Sequence, residues 1–93
     1  MSELDEVCLH FVVYGRVQGV WFRATTQRVA QALSVSGWVR NCDNGTVEGQ
    51  VQGAQKDVDA FVAYLNEGPP LATVNRVDLT VAEPQPDSGF RVR

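Results

Sequence analysis

Acidic residues are missing from a long early stretch of this chain. Between Val7 and Cys42 there is no Asp or Glu, although the whole chain carries 11 acidic against 8 basic residues and a net charge of −3. Cysteine and histidine are scarce too, with only Cys8, Cys42 and His10. Two cysteines are too few for a disulfide framework, and with one histidine they form no zinc-ligand spacing. Both read as free, partly buried thiols. Apolar runs are only a few residues long, as at 11–14, so no segment predicts a membrane span. The acidic stretch Met1 to Glu6 lacks the apolar core of a secretory signal. The expectation from these absences is a cytoplasmic protein, neither disulfide-stapled nor zinc-bound. An acidic balance also argues against general nucleic-acid binding.

At 93 residues the chain has room for one core, and a single domain over 1–93 is expected, with 1–6 as a mobile tail. Within the acid-free stretch fall Arg16, Arg23, Arg28 and Arg40. If they gather in space they would attract a small anion; they could equally be solvated on separate faces.

Leu9, Phe11 and Val13 alternate with Cys8, His10 and Val12, which predicts a strand over Val7 to Tyr14. His10 then points away from Leu9 and Phe11, and reads as a strand residue rather than a catalytic base. Gly15 to Gly19 breaks the strand. Phe22, Thr26, Val29 and Leu33 recur at helical spacing and predict a helix ending near Ser36-Gly37. A second strand follows over Gly37 to Cys42, then an Asp43-Asn44-Gly45 turn, whose Asn-Gly tolerates the positive φ of a tight hairpin. Val47, Gly49 and Val51 alternate with Glu48, Gln50 and Gln52 in a third strand.

Val58, Phe61, Val62 and Leu65 mark a second amphipathic helix over Gln55 to Asn66, terminated by Gly68-Pro69-Pro70. Val77, Leu79 and Val81 predict a fourth strand, and Phe90 to Arg93 a short fifth. The order β-α-β-β-α-β with right-handed crossovers predicts an α+β, ferredoxin-like split βαβ fold. Such a fold is an antiparallel sheet with two helices on one face. Its first two strands run parallel, so Cys8 and Cys42 should lie at opposite ends and cannot bridge.

The loop Gly15-Arg16-Val17-Gln18-Gly19-Val20 joins the first strand to the first helix. Its glycines let the backbone turn N–H groups inward, and the helix N-terminus adds more. No Ser, Thr, Asp or Asn lies between Gly15 and Arg23 to cap that end, and Arg23 puts a cation in the first turn. A bound oxyanion would resolve the conflict, with Arg23 gripping it through parallel hydrogen bonds. A plain glycine turn with a solvated arginine is the alternative. The loop lacks Gly-Lys-Ser/Thr, so ATP and magnesium are not expected. In the predicted sheet Asn41 ends on the same edge, where its carboxamide could orient a water; taken alone, it reads rather as a polar residue preparing the Asn44-Gly45 hairpin.

Together these segments are similar to the two signatures of the acylphosphatase family. Val13-Tyr14-Gly15-Arg16-Val17-Gln18-Gly19-Val20-Trp21-Phe22-Arg23 resembles the first, and Gly37 to Gly53, with Asn41, Gly45, Val47 and Gly53, resembles the second. The resemblance implies hydrolysis of small acyl phosphates to a carboxylate and inorganic phosphate. It implies that Arg23, with backbone N–H groups of Gly15, Arg16, Val17, Gln18, Gly19 and Val20, binds the phosphate, and that Asn41 positions the attacking water. No cofactor, metal, nucleic acid or membrane is expected, and a monomer is. No covalent intermediate is expected either, because phosphoryl transfer to water from a good leaving group needs mainly positioning and charge stabilisation.

Overall fold

The computed structural model describes residues 6–86 and 88–93. Its elements are β1 (Glu6–Arg16), α1 (Phe22–Leu33), β2 (Ser36–Asn41), β3 (Val47–Ala54), α2 (Gln55–Glu67), β4 (Thr73–Val81) and β5 (Phe90–Val92). They form one sheet in the order β4-β1-β3-β2-β5. The β1–β3, β1–β4 and β2–β3 pairs are antiparallel. The predicted ferredoxin-like arrangement is therefore present, and β1 and β2 run parallel to each other through β3. The short fifth strand adds one feature. Phe90 to Val92 pairs with Gly37 to Val39 in parallel, so the sheet is mixed at that edge.

Alternation along the strands sends Phe11 and Val13 of β1, Val39 of β2, and Val47 and Val51 of β3 into one core. Phe22 and Ala30 of α1 and Val58, Phe61 and Leu65 of α2 fill the same core, which places both helices on one face. Phe61 is the hub, with its ring centroid 5.7 Å from those of both Phe11 and Phe90. Between the helices, Thr26 and Tyr64 share a hydroxyl hydrogen bond of 2.9 Å, and burial of Tyr64 raises its phenol pKa.

Several boundaries differ from the sequence expectation. Helix α1 ends at Leu33, because Ser34 takes a left-handed conformation (φ 59°) and the N–H groups of the turn cap the Ala30 and Gln31 carbonyls. Ser36 and Gly37 thus begin β2 rather than close the helix. Its buried stripe runs through Phe22, Thr26 and Ala30, with Val29 and Leu33 half-buried beside it. In the turn between β2 and β3 the positive φ falls on Gly45 and not on Asn44, which instead accepts hydrogen bonds from the Thr46 N–H and hydroxyl through Oδ1. On β4, Leu79 and Val81 are exposed, since this edge strand extends past the helical cover. Glu6 opens β1 opposite Ala54, and residues 1–5 of the expected tail lie outside the described residues.

His10 lies on the helix-free face, as expected. Its Nε2 is 2.8 Å from Glu48 Oε2, and Arg40 grips the other oxygen of the same carboxylate at 2.6 Å. Cys8 shares this face but is buried, because the segment after β4 folds over it: the Ala82 N–H donates to the Cys8 carbonyl, and Gln52 and Gln85 exchange two 2.7 Å hydrogen bonds. Both cysteines are free.

Candidate active site

The loop between β1 and α1 starts from a crowded point. The register of β1 against β4 shifts between Tyr14 and Gly15, and Gly15 adopts φ 132°. A Cβ there would stand 2.1 Å from the Thr73 carbonyl oxygen, so only glycine lets β4 come this close. From Arg16 the chain leaves the ladder. Val17 and Val20 turn their side chains into the core and anchor the loop at two points, while Gly19 (φ 74°) between them lies exposed. Gln18 reaches sideways: its Nε2 donates to the carbonyls of Cys42 (2.7 Å) and Thr46 (2.9 Å). The loop is thereby fixed both to the core and to the hairpin that follows Asn41.

Trp21 is the N-cap of α1, in a left-handed conformation and without a side-chain cap, and the first turn holds no acidic residue. The first backbone bond of the helix runs from the Thr25 N–H to the Trp21 carbonyl at 3.0 Å. The backbone N–H groups from Gln18 to Ala24 find no protein acceptor among the described residues. They leave a concentration of donors and partial positive charge where loop meets helix.

Of this segment, Gly19 and Trp21 to Ala24 border a cleft of about 540 Å³, which Val17, Asn41 and Val92 also line. Arg23 is half-buried, and its Nη1 donates to the main-chain oxygen of Arg93 at 2.7 Å. Four residues on, along the same helix face, Gln27 donates to the Phe90 carbonyl at 2.9 Å. The two bonds tie β5 to α1 and bring Val92 to the cleft. Asn41 arrives from the end of β2, exposed and paired with Val47 in the ladder.

Of the residues singled out in the sequence, the structure brings Val17, Gly19, Arg23 and Asn41 to one cleft. Gly15, Arg16, Gln18 and Val20 do not line it: the first is locked against β4, the second is exposed at the strand end, and the last two point to the hairpin and the core. The four arginines do not gather. Arg40 is on the helix-free face with Glu48, Arg16 and Arg28 are exposed, and among the described residues Arg23 is the one cation lining the cleft. Trp21, Gln27 and Val92 were not singled out. Only Gln27 carried a signal, its i+4 spacing from Arg23. Among the described residues no group of three or more His, Cys, Asp or Glu could hold a metal ion, and no helix is long and apolar enough to cross a membrane.

The acylphosphatase family model matches residues 9–92. An acylphosphatase of Thiobacillus denitrificans is 53% identical over 85 residues, which is 91% of this chain and 94% of that one. One from Thermococcus kodakarensis is 45% identical over 89 residues, covering 96% and 98% of the two chains. The acylphosphatase of Coxiella burnetii, 38% identical, superposes with a TM-score of 0.93 over all of this chain and 98% of its own. The match takes in the glycine loop, the end of β2 and nearly the full length of these relatives; the chain belongs to the acylphosphatase family, enzymes that hydrolyse acyl phosphates and release inorganic phosphate.

Proposed function

We propose that the phosphoryl group of the acyl phosphate sits where the glycine loop meets α1, held by backbone N–H groups of the loop and by Arg23, while Asn41 orients the attacking water. The observation that carries this is the uncapped start of α1. Its N–H groups lack protein acceptors, and the residues that carry them border the same cleft as one half-buried arginine and one exposed carboxamide. Backbone donors at a helix N-terminus suit a tetrahedral oxyanion, and a guanidinium adds a planar fork to it. An amide side chain can accept a hydrogen bond from water while donating one to a phosphoryl oxygen. Water oxygen bonds to phosphorus as the bond from phosphorus to the acyl oxygen breaks. The electron pair leaves with the carboxylate, and the water proton passes to the phosphate or to solvent.

A carboxylate leaves readily, so the reaction runs by positioning and charge stabilisation, with no phosphoenzyme, metal or cofactor. All of the groups named lie in one chain, so a monomer suffices. Hydrolysis of benzoyl phosphate in ¹⁸O-labelled water, with excess chelator, tests the proposal. The expected outcome is undiminished turnover with the label in inorganic phosphate. Label in benzoate, loss of activity to the chelator, or a phosphoenzyme trapped at stoichiometric level would each overturn it.

A further inference from the structure

Trp21 gains little from the fold it sits in. Its backbone is left-handed (φ 64°, ψ 21°), a region disfavoured for any residue with a Cβ, and its side chain is 75% exposed. An indole usually repays its size by burial. One exposed apolar residue is unremarkable on a protein surface, but this one continues into an apolar part of the cleft with Ala24 and the 39% exposed Val92. The polar lining is confined to Arg23, Gln27 and Asn41, apart from backbone. At about 540 Å³ the cleft also has the size of a site for a whole small molecule rather than a bare phosphate.

The acyl carbon is joined to the phosphorus through a single bridging oxygen, so the acyl group must lie within a few ångströms of the phosphate seat. Trp21 immediately precedes the helical turn whose N–H groups form that seat. It is the large apolar side chain anchored next to it and still open to a ligand.

We infer that Trp21, with Ala24 and Val92, is a platform for the acyl group, which makes this enzyme selective for acyl phosphates with an aromatic or extended apolar acyl part over acetyl phosphate. The assignment rests on the phosphate seat proposed above. An exposed indole offers a flat face to a planar, carbonyl-conjugated ring, whereas a methyl group covers little of it.

The test compares kcat/KM for benzoyl phosphate and acetyl phosphate in the wild type, Trp21→Ala and Trp21→Phe. The benzoyl-to-acetyl ratio is expected to fall roughly five- to tenfold in Trp21→Ala, the scale of a modest change in apolar contact. Trp21→Phe should restore most of it. The change should appear mainly in KM, since a platform holds the acyl group alike in ground and transition states. Equal losses on both substrates would assign Trp21 to loop geometry alone, and unchanged kcat/KM on both would leave the acyl group in solvent; either overturns the inference while the phosphate seat stands. Failure of inorganic phosphate to inhibit the wild type would remove the seat, and the platform with it. In a Trp38→Phe background, benzoate should alter the Trp21 fluorescence more strongly than acetate, and equal or absent effects would count against the platform.

Discussion

Gln18 and Cys42 are joined by a 2.7 Å hydrogen bond from the side-chain Nε2 to the main-chain carbonyl, and the second hydrogen of that nitrogen serves the Thr46 carbonyl at 2.9 Å. One carboxamide thus holds the β1–α1 loop against the hairpin that begins just after Asn41. Gln18→Glu replaces a double donor with an acceptor facing two carbonyl oxygens. It should destabilise the fold by about 2 kcal/mol, as expected when buried or half-buried polar partners are left unpaired. Turnover should fall by roughly tenfold or more as the loop and Asn41 lose registry. Gln18→Ala should be milder in both respects. Urea unfolding and steady-state kinetics on the pair check this, and a Gln18→Glu protein with wild-type values would show the clamp to be idle.

Asn41→Ala and Arg23→Lys should separate two roles. Loss of the carboxamide should lower kcat by roughly 10²–10³-fold, the usual scale for one transition-state contact. Competitive inhibition by inorganic phosphate should largely persist. Arg23→Lys should weaken phosphate inhibition and turnover together, because a point charge cannot reproduce the planar fork. Near-normal turnover of Asn41→Ala, or unchanged phosphate inhibition in Arg23→Lys, would contradict the assigned roles.

Two glycines of the same loop should respond differently to alanine. At Gly15 the new Cβ would meet the Thr73 carbonyl at 2.1 Å, so Gly15→Ala should cost about 3 kcal/mol by forcing β4 away from β1. At Gly19 nothing lies within 4 Å, and Gly19→Ala should cost only the left-handed backbone, about 1–2 kcal/mol. Thermal unfolding of the two variants gives the comparison directly; equal costs would mean that backbone conformation alone sets both.

The carboxyl of Glu48 is held below its ordinary value of 4.5, first by the hydrogen bond from His10 and then by Arg40, against an opposing effect of partial burial. A depressed carboxylate stabilises the fold above its unfolded pKa and loses that contribution as pH falls through the folded one. Glu48→Gln should therefore be up to about 1 kcal/mol less stable than wild type at pH 7, the range for accessible ion pairs. The gap should narrow below pH 4.5 and close in strong acid. Denaturant titrations across the acid range would show it; a gap independent of pH would point to packing instead of charge.

Much of this architecture was legible because it rests on periodicity. Alternation at Leu9, Phe11 and Val13, and helical spacing at Val58, Phe61 and Leu65, are consequences of burying one face, and sequence carries them openly. The end of α1 was not legible, because a left-handed Ser34 looks like any helix-surface serine. A short fifth strand was expected from Phe90, but its parallel pairing with β2 was not legible, since the partner of three strand residues is fixed by non-local packing. Leu79 and Val81 alternate like core residues, yet whether helices cover them depends on where the helices stop. At the site, the missing cap and the misplaced Arg23 charge were readable as local conflicts. The turn of Gln18 toward the hairpin was not, because its acceptors are main-chain carbonyls that any residue supplies. Val17 and Val20 were counted as backbone donors, although their apolar side chains already hinted that the loop is pinned to the core.

The order β4-β1-β3-β2-β5 has a kinetic consequence. Strand β1 finds one partner in the edge strand β4, pairing Leu9 with Val81, so that side of the sheet closes only across most of the chain's length. Folding that depends on such distant pairings is slow compared with folding from neighbouring segments. The cleft is still more demanding, for it draws a wall from β5 and a brace from Arg93 to Arg23. Phe90 of the same β5 also packs on Phe61, so the cleft wall and the core share one late-closing strand. Regained catalysis would therefore report that the most distant segments of the chain have met.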